Sequence, residues 1–211
     1  MKTTSNVMVA NKADFLFRFV PANVRLHLLF DDEALYSTTD QMTADKISQD
    51  ILRFVPKTAT ITDATACIGG SSYSFSRIFQ HTIAIEIDPC RYSHLINNFN
   101  VLSQHGSINK ITCVLGDALE ECKRLEQSVI FIDPPWGGPD YKNKQKVSLY
   151  LSNIPLSEAC ISLIDYTKYL VLKVPTNFDE QAFINDTSHV LKIIHKNISL
   201  RKMHLLIVER I

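Results

Sequence analysis

The order of predicted elements is the feature that most constrains the fold of this 211-residue chain. From about residue 60 onward, short β-branched or apolar runs alternate with stretches of helical character, which predicts strand–helix repeats and a parallel sheet. The predicted strands cover residues 59–66, 82–87, 111–115, 129–132, 169–174, 190–199 and 203–209. The predicted helices cover residues 72–79, 89–103, 118–125, 156–166 and 180–185.

The two ends of the chain depart from this repeat. Only Leu200, Arg201 and Lys202 separate the last two predicted strands, so these strands should form an antiparallel hairpin. A mostly parallel, seven-stranded α/β sheet closed by a reversed terminal strand is the Rossmann-like outline of class I methyltransferases rather than of dehydrogenases. Residues 1–40 fit no repeat and are predicted to form an N-terminal extension, followed by a domain over residues 41–211 that starts with a helix at 44–54.

Composition excludes several classes of protein. The 22 basic and 22 acidic side chains cancel, so we expect any nucleic acid to be bound locally rather than attracted by a global field. The five cysteines include no C-x-x-C pair, which argues against a disulfide framework and a zinc site and favours a reducing, intracellular compartment. The histidines show no metal spacing. We predict no membrane span, no secretion leader and no bound metal.

Acidic residues lie at the ends of the first two predicted strands. Asp63 opens a strand-to-helix turn that contains Gly69 and Gly70, and glycines there either let the backbone approach a ligand or simply make the turn. Glu86 ends the second strand, where open α/β sheets bind the ribose of nucleotide-like ligands. For Asp88, which precedes a proline, a helix N-cap is the favoured interpretation.

The third strand runs into Asp117, which can accept a hydrogen bond from an adenine amino group or cap the next helix. Three acidic strand ends at one edge of a sheet form a more specific pattern than any one of them. A dehydrogenase would carry G-x-G-x-x-G in the first turn, and its absence counts against NAD.

The strongest signal is the sequence Asp-Pro-Pro-Trp, residues 133–136, at the end of the fourth predicted strand. An exocyclic amine is a poor nucleophile because its lone pair is delocalised, so an enzyme must hold its two N–H groups and turn the lone pair toward the methyl donor. The carboxylate of Asp133 and the carbonyl of Pro134 can accept those hydrogen bonds, and Trp136 can stack on the base. The alternative is a rigid surface turn with a buried tryptophan.

The nine residues 133–141, DPPWGGPDY, resemble the signature of trimethylguanosine synthases, which methylate the 2-amino group of guanine in RNA caps. The similarity extends from about residue 29 to the final hairpin and is weaker outside the motifs. The resemblance implies S-adenosylmethionine as cofactor, S-adenosylhomocysteine as its product, and a 7-methylguanosine-capped RNA or cap nucleotide as partner. It makes Trp136 the platform on which the cationic base stacks.

The resemblance also assigns residues to the site. The catalytic candidates are Asp133, Pro134 and Trp136. The cofactor-binding candidates are Asp63, Ala64, Thr65, Cys67, Gly69, Glu86, Asp117, Ala118 and Asp133. The substrate-binding candidates are Trp136, Pro139, Asp140, Tyr141, Lys173 and Asn177. The segment around Phe30 and Tyr36 either contributes to the pocket or is ordinary core.

Two positions depart from the family pattern. Cys67 stands where the family usually has glycine, and Thr176 replaces the arginine of a Pro-Arg-Asn sequence whose charge binds the cap triphosphate. Lys173 could compensate as a phosphate contact. So could the run of lysines at 142, 144 and 146, although such a run is more commonly a solvated loop.

Three functions remain open from the sequence. The first is methylation of the cap guanine, either once to the dimethyl form or twice to the trimethyl form. The second is methylation of an amine on an internal base of RNA or DNA, which the tetrapeptide allows and the nine-residue signature disfavours. The third is a noncatalytic module that binds caps, although such a module would usually have lost the carboxylate or the aromatic residue, and this chain keeps both.

Overall fold

A computed structural model describes residues 12–106, 108–200 and 202–211 of the chain. Its main sheet has seven strands in the order β3-β2-β1-β4-β7-β9-β8. The strands of this sheet are Thr60–Asp63 (β1), His81–Glu86 (β2), Lys110–Leu115 (β3), Val129–Ile132 (β4), Tyr169–Pro175 (β7), Leu191–Asn197 (β8) and Met203–Arg210 (β9). A small separate hairpin pairs Tyr150–Leu151 (β5) with Ile154–Pro155 (β6).

The directions of the strands confirm the predicted sheet. β1 runs parallel to β2 and to β4, β2 is parallel to β3, and β4 is parallel to β7. β9 is antiparallel to both of its neighbours, β7 and β8, so the predicted terminal hairpin is present. Strand order reverses between β1 and β4, and open α/β sheets bind ligands in the crevice outside the carboxyl ends of the strands at such a point.

Helices cover both faces of the sheet. They are Ala22–Arg25 (α1), Ala34–Ser37 (α2), Gln41–Ile51 (α3), Gly70–Ile78 (α4), Pro89–His105 (α5), Ala118–Glu121 (α6), Leu156–Leu163 (α7) and Glu180–Thr187 (α8). Short 3₁₀ helices lie at Cys122–Arg124, Pro139–Asn143 and Ile164–Tyr166. α6, α7 and α8 pack on one face, and α3, α4 and α5 pack on the other.

The central strand β4 shows why the sheet is stable. Ile130 and Ile132 point into the cluster under α7, whereas Val129 and Phe131 point into the cluster under α3 and α4. All four side chains are at most 1% exposed, as expected for a parallel strand covered on both faces. Burial of each such side chain contributes roughly 1.5–3 kcal/mol.

Residues 12–40 pack on the sheet as part of its core. Phe17 and Leu28 are buried in one cluster with Ile68 and Leu95. Asn98 of α5 fixes the segment, since its amide Oδ1 accepts from the backbone N–H of residue 29 at 2.7 Å and its Nδ2 donates to the carbonyl of the same residue at 3.0 Å. The predicted boundary at residue 40 therefore separates two segments that share a hydrophobic cluster.

Three local features differ from the sequence-based expectation. α3 begins three residues before the predicted helix because Asp40 caps it, accepting a hydrogen bond from the backbone N–H of Thr43 at 3.3 Å. The predicted helices 118–125 and 156–166 each end in a 3₁₀ turn. The β5–β6 hairpin was not predicted: its turn residues Ser152 and Asn153 adopt φ of 49° and 67°, a left-handed pair without the usual glycine.

Among the described residues, no helix combines the length and apolar character needed to cross a bilayer.

Candidate active site

The site lies where the carboxyl ends of β1 and β4 meet. Asp63 is the last residue of β1 and pairs in register with Ala84 of β2 and Phe131 of β4. Asp133 follows β4 directly, and its backbone N–H donates to the hydroxyl of Thr65 in the loop after β1 at 2.8 Å. This bond joins the two exit loops, so the structure brings together the first and fourth strand ends that the sequence singled out.

Asp63 is a buried carboxylate with two short-range donors. It is 1% exposed, and its oxygens accept from the hydroxyl of Ser72 at 2.5 Å and the backbone N–H of Thr65 at 3.3 Å. Burial raises the pKa of Asp63 to about 7, while these two hydrogen bonds oppose the rise and the nearby Asp133 adds to it. A buried carboxylate has lost its hydration, so a cationic group of a ligand would stabilise its ionised form.

Glu86, at the end of β2, is fixed by backbone donors. Its Oε2 accepts from the N–H of Cys67 and its Oε1 from the N–H of Asp88, both at 2.8 Å. The guanidinium of Arg91 lies 3.6 Å from Oε1. The Glu86 side chain therefore stands against the turn after β1, in the position expected of a ribose-binding carboxylate.

The turn after β1 makes closer contacts with protein than the sequence indicated. Cys67 adopts φ of 51°, in the left-handed region that favours glycine. Gly69 adopts φ of 100°, and a Cβ there would lie 2.9 Å from Phe99. A Cβ on Gly70 would lie 2.5 Å from the Thr38 side chain and 2.6 Å from the carbonyl oxygen of Thr39, so glycine is required because the chain before α3 lies against the start of α4.

Two of the acidic strand-end residues cap helices. The Asp88 side chain accepts from the N–H of Arg91 at 2.9 Å, as predicted. Asp117 caps α6, which begins at the buried Ala118, and its Oδ1 accepts from the N–H of Leu119 at 2.8 Å and the hydroxyl of Ser152 at 2.7 Å. Both hydrogen bonds end on the same oxygen of Asp117. Its second oxygen is therefore the one that would accept a hydrogen bond from an adenine amine.

The Asp-Pro-Pro-Trp segment leaves β4 along the rim of the crevice. Pro134 is buried, Pro135 is exposed and Trp136 is half-buried. The indole of Trp136 packs edge-to-face on the ring of Tyr141, with centroids 5.1 Å apart and planes at 80°. Trp136 is thus at the edge of the core rather than enclosed by it, and its buried Nε1 has no hydrogen-bond partner among the described residues.

The loop after the tryptophan is open. Gly137 and Gly138 adopt φ of 86° and 73°, and nothing lies within 4 Å of a Cβ built on either, so only their backbone conformation requires glycine. Asp140 is exposed. The side chain of Pro139 lies outside the described part of the structure.

Asn177, a substrate-binding candidate, holds this loop. Its amide Nδ2 donates to the carbonyl oxygens of Tyr141 and Lys144, both at 2.8 Å. Lys146 is paired with Asp179 at 2.8 Å, whereas Lys142 and Lys144 are exposed.

Lys173 lies in the crevice rather than at the surface. It is 4% exposed, and its Nζ donates to Oδ2 of Asp133 at 2.5 Å and to the hydroxyl of Thr39 at 2.9 Å. Burial raises the pKa of Asp133, and the charge and hydrogen bond of Lys173 oppose that rise. The expected phosphate contact by Lys173 is not supported by this geometry, because its ammonium faces a carboxylate and a hydroxyl inside the protein.

The two N-terminal aromatic candidates differ. Phe30 packs against Phe17 with ring centroids 6.1 Å apart, at the edge of the core. Tyr36 is 74% exposed, and the ammonium of Lys12 lies 3.5 Å from its ring centroid. Phe30 fits the core-packing interpretation, whereas Tyr36 is available at the surface.

The most important residue that sequence reasoning missed is Thr39. It lies 134 positions from Lys173, and no local pattern marks it as part of the site. Ser72 was also missed, although its place one turn into the helix after Asp63 could have indicated it. In the described ranges, no group of three or more His, Cys, Asp or Glu side chains is arranged to hold a metal ion.

Comparison with known proteins identifies a related family. A family model described as RNA cap guanine-N2 methyltransferase matches residues 58–205. An uncharacterised protein, L320, of Acanthamoeba polyphaga mimivirus is 31% identical over 73% of this chain and 59% of its own length. Trimethylguanosine synthase of Schizosaccharomyces pombe is 32% identical over 56% of this chain and 50% of its own length.

The comparisons also bear on length and fold. The chain spans only about half to three-fifths of these two curated relatives. Among solved structures, a protein of Porphyromonas gingivalis W83 described as a candidate methyltransferase aligns with 97% of this chain and 48% of its own, at a TM-score of 0.71 and 14% identity. At 14% identity, the similarity shows only a shared fold, which is the predicted fold of class I methyltransferases.

Proposed function

Because this chain belongs to the RNA cap guanine-N2 methyltransferase family, we propose that it methylates the exocyclic 2-amino group of 7-methylguanosine in RNA caps. The methyl donor is S-adenosylmethionine. One transfer gives the dimethyl cap, and a second transfer gives the trimethyl cap. The observation that carries the proposal is the position of Asp133 and Trp136 on the exit of β4, joined through Thr65 to the exit of β1.

The cofactor half of the crevice fits a nucleoside with a cationic amino-acid end. Asp63 receives the α-ammonium, for which its buried carboxylate is suited. Glu86 accepts hydrogen bonds from the ribose hydroxyls, and the second oxygen of Asp117 accepts one from the adenine amine. The backbone of the turn that contains Ala64, Cys67 and Gly69 lines the methionine part of the ligand.

The acceptor half orients the amine. Asp133 and the carbonyl of Pro134 accept the two N–H groups of the guanine amine, which turns the nitrogen lone pair toward the sulfonium methyl. Bound S-adenosylmethionine would supply the methyl group: the N–C bond would form as the S–C bond breaks with its electron pair left on sulfur, and the methylated nitrogen would lose one proton to solvent. Asp133 does not need to remove a proton before attack, so its contribution is orientation and stabilisation of the positive charge that develops on nitrogen.

Trp136 binds the base. Stacking of a cationic 7-methylguanine on an indole contributes roughly 0.5–2 kcal/mol, more than stacking of neutral guanine. The edge-to-face contact with Tyr141 fixes the orientation of the indole at the rim of the crevice.

The cap phosphates need a different partner from the family's arginine, since Thr176 is uncharged. We assign them to Lys142 and Lys144, which are exposed on the loop that Asn177 fixes next to Trp136. Lys146 is less suitable because Asp179 already pairs with it.

The test is a methyl-transfer assay with labelled S-adenosylmethionine and four acceptors: 7-methylguanosine triphosphate, GTP, capped RNA and uncapped RNA. The proposal expects label on the two 7-methylated acceptors and none on the others, with N2-methylation identified by mass spectrometry. Transfer confined to uncapped polymer would select the internal-base function. Saturable cap binding without transfer to any acceptor would select the noncatalytic module.

A further inference from the structure

We propose that Lys173 is a positioning residue for methyl transfer, holding the carboxylate of Asp133 in the orientation that receives the acceptor amine. The proposal rests on the function proposed above. It replaces the phosphate-binding role expected of Lys173 from the sequence.

The sheet itself places the two side chains together. Ile132 of β4 pairs in register with Leu172 of β7, so the next residues along the two parallel strands, Asp133 and Lys173, are neighbours on the same face. That face is the one covered by α3 and α4, because the preceding residue on that side, Phe131, belongs to their cluster. The contact is therefore determined by strand register rather than by a flexible loop.

The ammonium of Lys173 is surrounded by functional groups. Its Nζ donates to Oδ2 of Asp133 at 2.5 Å and to the Thr39 hydroxyl at 2.9 Å, and it lies 5.2 Å from the ring centroid of Trp136. Lys173 thus contacts both side chains proposed to act on the base, and it is held from the other side by the chain before α3.

A purely structural role for Lys173 is unfavourable. Every residue of β7 is buried, and all of the others are apolar or aromatic, so a hydrophobic side chain would fill this position without loss of hydration. A buried ammonium at the centre of a sheet is retained at a cost in stability. That cost is explained if the charge is needed by the carboxylate beside it.

Positioning by Lys173 has two consequences for Asp133. The ammonium engages Oδ2, which orients the carboxylate and leaves Oδ1 as the oxygen assigned to the amine. The positive charge of Lys173 also stabilises the ionised form of Asp133. Burial and the negative charge of Asp63, the other charged group facing Asp133, have the opposite effect. Thr39 and Trp136 are uncharged, and their side chains also lower the pKa of Asp133, by less than Lys173 does.

The experiment compares Lys173→Met, Lys173→Arg, Asp133→Asn and the double variant Asp133→Asn/Lys173→Met in the full chain. For Lys173→Met we expect kcat to fall by a factor of about 100 while KM for 7-methylguanosine triphosphate changes less than about threefold, because orientation is lost but stacking is kept. The acid limb of the kcat–pH profile should move to higher pH by about one unit or more, since the pKa of Asp133 rises without its cation. Lys173→Arg should recover part of kcat and return the limb toward the wild-type position.

The double variant keeps the proposal testable if Lys173→Met folds poorly. It removes both charges, so it should fold, bind S-adenosylhomocysteine as wild type does, and be no slower than Asp133→Asn alone. A double variant slower than Asp133→Asn by the full Lys173→Met factor would overturn the proposal, since the two residues would then act independently.

Other outcomes separate this inference from the proposed function. A Lys173→Met variant with wild-type kcat and pH profile overturns the positioning role alone. A raised KM for the cap with unchanged kcat also overturns it and restores the phosphate contact. Failure of the wild-type protein to methylate any acceptor, with S-adenosylhomocysteine bound normally, overturns the proposed function and the inference together.

Discussion

The two halves of the crevice hold their carboxylates by different means. In the cofactor half, Glu86 accepts from two backbone amides and Asp63 from a hydroxyl and a backbone amide, with partners at most 19 positions away in the sequence. In the acceptor half, Asp133 depends on the side chain of Lys173, 40 positions away, which in turn contacts Thr39, a further 134 positions from Lys173.

The carboxylates of the two halves are therefore held in place for ligand binding in two different ways. The backbone amides that hold Glu86 and Asp63 carry no net charge and cannot be removed by a side-chain substitution. Among these donors only the Ser72 hydroxyl can be removed, so the cofactor half should tolerate most changes around it. The acceptor half relies on an ion pair between side chains in a buried site, where removing one partner leaves an uncompensated charge. We therefore expect acceptor-half substitutions to have the larger effects on turnover.

The largest effect is expected for Asp133→Ala. Loss of the acceptor for the amine should lower kcat by a factor of about 10³, while the affinity for S-adenosylhomocysteine, measured by calorimetry, stays within about threefold. Glu126→Ala is the matched control, because Glu126 is exposed near the amino end of β4, away from the crevice. Loss of cofactor affinity in parallel with turnover would contradict the division into two halves.

Substitution of the base platform should act on affinity. We expect Trp136→Ala to weaken binding of 7-methylguanosine triphosphate about 2- to 30-fold and to reduce its preference over GTP, because the cation–π part of the stacking is lost. Trp136 is the only tryptophan of the chain, so quenching of wild-type fluorescence by the cap analogue reads the stacking directly. Trp136→Phe should retain part of the affinity. A wild-type emission that is insensitive to the cap would remove Trp136 from the proposed platform.

The cofactor half should show its own pH dependence. Since burial raises the pKa of Asp63 to about 7, its carboxylate is ionised at pH 8 and mostly protonated at pH 6. A carboxylate that binds an ammonium must be ionised, so affinity for S-adenosylhomocysteine should fall about tenfold from pH 8 to pH 6. Asp63→Asn should bind more weakly with a flat profile over this range. A wild-type profile equally flat would exclude Asp63 as the ammonium partner.

The smallest effect concerns the backbone of the cofactor turn. Cys67→Gly should have a free energy of unfolding about 1 kcal/mol above that of Cys67→Ala, because both lose the thiol contacts with Ser37 and Thr38 and only glycine adopts the left-handed conformation without cost. Cys67→Ala is the matched control: it also removes the thiol but keeps a Cβ, so it should keep the conformational cost. Urea unfolding of the two variants measures the difference, and equal free energies of unfolding would contradict a conformational cost at this position.

The contrast between the halves also explains what the sequence could predict. The strand ends with Asp63, Glu86 and Asp133 followed from local periodicity, since the carboxyl ends of parallel strands share one edge of a sheet. The partner of Asp133 did not follow, because Lys173 becomes its neighbour only through the register of β4 with β7. A lysine within an apolar run could have been recognised as buried, but its charge suggested phosphate first.

Other differences have similar causes. For Gly70 the sequence left open ligand approach or a plain turn, and the structure adds a third reason, the close approach of Thr38 and Thr39, which lie about thirty positions away in the sequence. The β5–β6 hairpin has two residues in each strand, too few to show an alternating pattern. Both features depend on tertiary contacts that no window of sequence contains.

The hydrogen bond from Lys173 to Thr39 has a practical consequence for dissecting the molecule. The region that matches the family spans residues 58–205, and a fragment cut to those limits would lack Thr39 as well as α3 and the last residues of β9. Such a fragment would keep the whole nine-residue signature and still leave its buried ammonium short of one ligand. Inactivity of a trimmed version would then report the loss of the core helix α3 and of the contact from Thr39 to Lys173, not the loss of a substrate-recruiting region.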